Sequence, residues 1–226
     1  MKLAIQISGE FRQLEACLAT LRTYVFPGFP NAEIDIFVHT WRKEGEEGHG
    51  AGLAALKPRS YFLEPYEDRY DLHALPRAYS MFYSIKRAND ARKEYEILMD
   101  FKYDLVMRYR TDCLFFESVY NVIEPYWKEH KPFLCIPKAK QIQACDGPID
   151  SEMGGICDWF AIGTPDMLDV YCGTYDTFRE EGLPIVPETM LSFQLQMNGI
   201  TPTSFLKRPL FDFSLYAFKQ SLKSPH

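Results

Sequence analysis

The chain has 226 residues, 46% of them hydrophobic and 15% aromatic, enough to bury a large core in one domain. Its formal net charge of −6 excludes the unspecific hold on nucleic acid or anionic lipid that clustered Lys and Arg provide, and a small ligand or a neutral polymer suits it better. The six cysteines form no C-x-x-C pair and show no zinc-like spacing to histidine, so they read as reduced, mostly buried thiols.

The opening MKLAIQISGEF carries one Lys and an apolar run broken at Gln6, too short for a signal peptide. Nowhere do about 18 apolar residues follow one another to span a membrane, so the expectation is a cytoplasmic protein. KLAIQIS (2–8) has strand character, and Leu14, Cys17, Leu18, Leu21 and Val25 then recur on one helical face: strand, tight turn, helix. EIDIFVHTW (33–41) alternates at Ile34, Ile36 and Val38 and predicts a second strand, with SYFLEPY (60–66) a third. Residues 43–58 between them, rich in Gly, Glu and Lys, read as a solvated loop or a weak helix.

Met81, Ile85, Ala88, Tyr95 and Met99 predict a long amphipathic helix over 79–99, interrupted by Arg92, with Lys86, Arg87, Asn89 and Lys93 off the core face. The stretch YDLVMRYRTDCLFF (103–116) follows. Its apolar Leu105, Val106 and Met107 describe a buried strand over 103–109 that then runs into Arg108, Arg110 and Asp112. PFLCIPK (132–138) and DWFAIGT (158–164) predict two more strands, separated by QIQACDGPIDSEMGGIC, expected to be mobile. Residues 167–178 and 188–198 read as helices, the latter ended by Gly199, and no repeat or linker intervenes.

Strands alternating with helices predict an α/β fold with a mostly parallel central sheet flanked by helices. In such sheets ligands bind beyond the carboxyl ends of the strands. Arg110 and Asp112 stand where a strand leaves the core, able to reach a ligand or to satisfy each other as an ion pair. Ser8, Gly9, Glu10, Phe11 and Arg12 join a strand to a helix, where free backbone N–H groups favour a phosphate and Gly9 allows close approach. Arg12 equally suits a surface place in the first helical turn. The turn has neither the G-x-G-x-x-G nor the G-x-x-x-x-G-K-[ST] pattern, so neither a dinucleotide oxidoreductase nor a P-loop enzyme is supported. Asp158 precedes an apolar strand, and Glu188 opens a helix, where the dipole alone accounts for an acid.

ISGEFR, DIFVHTW, MFYSIKRAND, YDLVMRYRTDCLF, DWFAIGTPDML and PETML, in this order from about residue 3 to residue 200, resemble small glycosyltransferases of the type A fold found in large DNA viruses and bacteria. The chain is similar to the N-terminal glycosyltransferase domain of a chlorella-virus enzyme that builds capsid glycans. The resemblance implies a sugar transferase with a nucleotide-diphosphate donor, by default a uridine nucleotide, a glycan acceptor, and Mn²⁺ or Mg²⁺ as cofactor. It implies a single domain whose donor-binding part covers about 1–115 and whose acceptor side covers about 140–200.

In the type A fold an Asp-x-Asp element at the end of a central strand holds the cation. The matching place here reads Arg110, Thr111, Asp112, so the first acid is missing and Asp112 is left as the metal ligand. The resemblance then makes Arg110 available to the ribose, the phosphate or a neighbouring carboxylate. The departing diphosphate gathers negative charge that a hard dication stabilises. Ser8, Gly9, Arg12 and Lys86 become the phosphate contacts, with Lys207 or Arg208 adding another. His39, Trp41 and Tyr83 would line the nucleoside pocket, or simply pack, as would Ser84 and Asn89. Asp158 falls on the acceptor side, where it binds a sugar hydroxyl or takes its proton, with Glu188 a second candidate. The resemblance leans towards retention of anomeric configuration. Two rival classes share the donor residues: a nucleotide-sugar hydrolase, and a noncatalytic nucleotide- or glycan-binding module, which the missing acid favours.

Overall fold

Strand β1 (Lys2–Ser8) runs through the middle of the sheet in the computed structural model, with parallel partners on both sides. Residues 1–42, 49–69, 72, 77–137, 156, 158–178, 186–201, 204–206 and 211–212 are described. β1 is apolar along nearly its whole length because helices cover both faces of a parallel sheet. Leu3, Ile5 and Ile7 point to one face and Ala4 to the other, by the two-residue alternation of a strand.

On either side lie β2 (Glu33–Arg42) and β4 (Leu105–Tyr109), and β3 (Ser60–Pro65) pairs with β2, all parallel. Beyond β4 come β7 (Phe160–Gly163), β6 (Leu134–Pro137) and β8 (Ser204–Leu206), giving the order β3-β2-β1-β4-β7-β6-β8. The fold is thus α/β with a mostly parallel sheet. Its exception is β7, antiparallel to both β4 and β6. A separate two-stranded ribbon pairs β5 (Leu114–Phe115) with β9 (Phe211–Asp212).

Helices α1 (Leu14–Thr20) and α4 (Val119–Lys128) pack on one face through Cys17, Leu18, Val119 and Ile123. The predicted first helix continues after Thr20 as a π turn, Leu21–Val25, and a 3-10 turn, Phe26–Gly28. Leu21 and Val25 stay buried, and Pro27 suits the start of the tighter turn. α2 (His49–Leu56) is the weak helix of the second connection; residues 43–48 lie outside the described residues.

The opposite face carries α3 (Arg77–Met99), α5 (Pro165–Cys172), α6 (Thr174–Phe178) and α7 (Pro187–Met197). α3 buries Tyr79, Phe82 and Ile85 against Phe37 and Val106, each side chain contributing about 1.5–3 kcal/mol. That face also contains Asn89, Arg92 and Glu96, against the expectation that Asn89 lies off it and that Arg92 interrupts it, while Met99 is 53% exposed. The polarity is tolerated because it is paired. Arg92 is ion-paired with Glu96 at 2.8 Å and hydrogen-bonded to Asp169; Gln6 Nε2 donates to Asn89 Oδ1 at 2.6 Å; Asn89 Nδ2 donates to Asp169 at 2.8 Å.

Four cysteines, Cys17, Cys113, Cys135 and Cys172, are buried and free; Cys145 and Cys157 lie outside the described residues, as does all but Ile156 of the segment 141–157 that was expected to be mobile. Among the described residues no helix is long and apolar enough to cross a membrane.

Candidate functional site

The carboxyl ends of β1, β2 and β4 open on one edge of the sheet. Because β7 is antiparallel, with Phe160 paired to Tyr109, its start rather than its end arrives there, bringing Asp158 and Trp159 beside Arg110. The first turn of α3 and the start of α7 close the space, a cavity of about 700 Å³. A second hollow, of about 660 Å³, lies at the opposite end, near Met1, Phe29 and Trp127; it holds none of the residues singled out in the sequence.

The β1–α1 turn contributes Ser8, Gly9, Glu10 and Arg12 to the cavity wall, as its sequence suggested. Gly9 has φ +94°, a conformation that residues with a Cβ rarely adopt, and its N–H donates to the His39 carbonyl at 3.1 Å, tying the turn to β2. A Cβ there would meet nothing within 4 Å, so the glycine answers to backbone shape, not crowding. β2 adds Trp41, α3 adds Arg77, Met81 and Ser84, β4 adds Arg108, and the residue directly after its end is Arg110.

The acids sit opposite. Asp158 is 3% exposed; its Oδ2 lies 3.7 Å from Arg110 Nη1, and its Oδ1 has no hydrogen-bond partner among the described residues. Burial raises its pKa, outweighing the attraction of Arg110 and Arg108. Glu188, at the start of α7, is raised for the same first reason, with Asp158 adding to it. Both carboxylates of the sequence reading therefore border the cavity, held closer to neutrality than exposed acids.

Other candidates stand elsewhere. His39 is fully buried: its Nδ1 is 2.7 Å from Ser84 Oγ, its ring meets Trp41 edge-on at 4.7 Å, and burial lowers its pKa to about 4, so it is neutral and supports Ser84 and Trp41. Tyr83 stacks on Trp41 at 5.6 Å, with Arg69 3.9 Å from its ring centroid and its hydroxyl donating to Glu64 at 2.8 Å, and it does not border the cavity. Lys86 pairs with Asp90 at 2.9 Å, one turn along α3, and with Asp176 at 3.8 Å, so the helix turns it away from the cavity. Asn89 belongs to the buried α3 network. Lys207 and Arg208 lie outside the described residues.

Asp112 does not border the cavity either. Its Oδ1 accepts from Arg110 Nε at 2.5 Å and its Oδ2 from Arg12 Nη1 at 3.3 Å. Both oxygens are thus committed to guanidinium groups whose charges oppose a cation, and no cluster of three potential metal-ligating residues exists among the described residues. This donor set does not fit a divalent cation. The arrangement realises the ion pair that the sequence left open.

No family model matches the chain, and no curated protein matches it. Its function has to be read from the cavity.

The residue that sequence reasoning passed over is Arg108. It is 1% exposed, lies within β4 beside Ala161 of β7, and borders the cavity. The signal was present: Leu105, Met107 and Tyr109 share one face of β4, and Arg108 shares the other with Val106. A guanidinium in mid-strand requires a partner. Tyr66, Arg77 and Trp159 also border the cavity, and no pattern in the sequence singles them out.

Proposed function

We propose that the chain transfers a sugar from a nucleoside-diphosphate donor, by default a uridine nucleotide, to a hydroxyl of a glycan acceptor, on a fold of the glycosyltransferase A type. One observation carries the reading: arginines at a strand-to-helix turn and a central strand end share one space with two cavity-lining carboxylates of raised pKa, Asp158 buried and Glu188 half-buried. The sequence resemblance and the position of Arg110-Thr111-Asp112 directly after β4 support it further.

The diphosphate rests against the Gly9 turn with Arg12 and Arg110 beside it, and the sugar reaches inward towards Asp158. As the bond from the anomeric carbon to the β-phosphate oxygen breaks, its electron pair stays on phosphate, and the two guanidinium groups stabilise that charge. The acceptor oxygen bonds the anomeric carbon, and its proton passes to the carboxylate of Asp158, or of Glu188 as the second candidate. Carboxylates of raised pKa suit this task because they hold the proton more readily than exposed acids do. No step is routed through a cation, since Asp112 is occupied by Arg12 and Arg110.

Incubation with a panel of nucleotide sugars, with and without acceptor glycans and in Mn²⁺ or EDTA, tests the proposal. Glycan product that forms only with acceptor supports it. Nucleotide release without acceptor assigns a hydrolase instead, binding without release a noncatalytic module, and strict dependence on Mn²⁺ returns a cation to the site.

A further inference from the structure

Arg108 has five N–H donors, and the described structure uses one side of it. Nη1 donates to the Trp159 carbonyl at 2.5 Å, anchoring the guanidinium across the β4–β7 pair. Nε and Nη2, the two nitrogens whose N–H bonds run parallel, are shielded from water and have no hydrogen-bond partner. That edge is the fork that matches the two oxygens of a carboxylate or a phosphoryl group. A buried charged group with an open fork is costly to a fold unless something meets it. Asp158, which borders the same cavity, also has a buried atom, Oδ1, without a hydrogen-bond partner among the described residues.

The depth of Arg108 separates it from the other arginines. Arg110 lies two residues further along, about 6.6 Å at the rise of a strand, and Arg12 lies on the turn beyond β1. Those two stand at the strand ends and hold Asp112, whereas Arg108 is set back inside the sheet. A group reaching Arg108 lies about one sugar ring deeper than a group at Arg110.

We propose, resting on the sugar-transfer reading above, that the fork of Arg108, covered in this structure and uncovered as the ligand enters, binds a carboxylate on the sugar moiety, so that the cavity selects a uronic acid, with Asp158 Oδ1 meeting an adjacent hydroxyl. The same two-oxygen chemistry is offered by the donor's diphosphate, and the experiment distinguishes the two sources.

Calorimetric titration compares UDP, UDP-glucose and UDP-glucuronic acid on the wild type, Arg108→Gln and Arg108→Lys, with melting curves to verify that each variant is folded. The expected result is that the wild type prefers the glucuronic acid form by about tenfold or more, as a charge-assisted fork implies. Both variants erase that preference, Lys because it keeps the charge but lacks the fork, and both leave UDP affinity within about twofold. Equal wild-type affinity for the two nucleotide sugars overturns the proposal without requiring any variant. If the variants weaken UDP as much as UDP-glucuronic acid, the fork serves the diphosphate and the carboxylate assignment is wrong. Should no uridine nucleotide bind, the donor reading has failed. Methyl glucuronoside against methyl glucoside then decides: a wild-type preference for the acid lost in Arg108→Lys upholds the fork as a carboxylate site, and no preference overturns it.

Discussion

Asp158→Asn tests the catalytic reading and its electrostatics together. Among the described residues the carboxylate has one ion pair, with Arg110 at 3.7 Å. At an effective dielectric of about 20 such a pair attracts by about 4 kcal/mol. Against it stands a desolvation cost of several kcal/mol for a carboxylate this deeply buried, with one oxygen unpaired. The raised pKa says that desolvation prevails. Below the ordinary Asp value, near 3.9, the group is protonated in both folded and unfolded chains and contributes nothing. As pH rises from there to the raised folded value, the unfolded chain gives up its proton first, so stability falls; above that value the penalty is constant. Asp158→Asn removes the charge, so at pH 7 it should be as stable as the wild type or more so, with any gain vanishing below about pH 4. Its transfer rate should nevertheless fall by about 10² to 10⁴, or about 2.7 to 5.4 kcal/mol of barrier, the usual range for a lost general base. Melting curves from pH 3 to 8 and a pH–rate profile give the answer. The wild-type profile should show an acid limb above the ordinary carboxylate range, and the variant should lack it. A variant with full activity, or one that keeps the limb, removes Asp158 from the role of base; a loss of several kcal/mol in stability at pH 7 refutes the electrostatic argument.

Arg110→Ala removes a charged donor beside the proposed diphosphate, so UDP affinity should drop about 10- to 100-fold by calorimetry; unchanged affinity would move the phosphate elsewhere. UDP should raise the melting temperature equally in Mn²⁺ and in EDTA, because Asp112 is held by two arginines, and a much larger shift in Mn²⁺ would show that the cation displaces them. Gly9→Ala and Gly163→Ala should differ in kind. At Gly9 a Cβ meets open space and only the positive φ costs, about 1–2 kcal/mol or a few degrees of melting temperature, whereas at Gly163 a Cβ would lie 2.2 Å from the Phe133 carbonyl oxygen, so this variant should melt far lower or not fold. Equal losses at the two would contradict the account of the Gly9 turn.

The strands were legible where the sheet is parallel and covered on both faces, because unbroken apolar runs such as KLAIQIS admit few other readings. Helix α3 was legible in extent and misread in facing. Periodicity counts apolar residues, but its inner face carries Asn89, Arg92 and Glu96, which only the distant Gln6 and Asp169 make tolerable. α4 went unread because Pro125 and several polar residues interrupt it, although Val119 and Ile123, four apart, are its core contacts. The strands β5, β8 and β9 are two or three residues long, too short to carry any period.

The same limit governs the site. Arg110, Gly9 and Arg12 were legible because a strand end and a strand-to-helix turn mark themselves locally. The direction of β7 does not: FAIG reads the same whether it runs with β4 or against it. Had β7 been parallel, its start, with Asp158, would lie at the amino edge of the sheet, away from Arg110. The antiparallel pairing of Phe160 with Tyr109 therefore turns a distant acid into a cavity acid, and burial at that junction then raises its pKa. Asp112 shows the converse. Two residues from Arg110 along the chain, it looked like part of the cavity, yet a carboxylate between two guanidinium groups is drawn into the wall by attraction that sequence spacing does not encode. A chain can thus keep a strand-end acid while giving it to its own arginines, and the charge that faces the cavity there is positive.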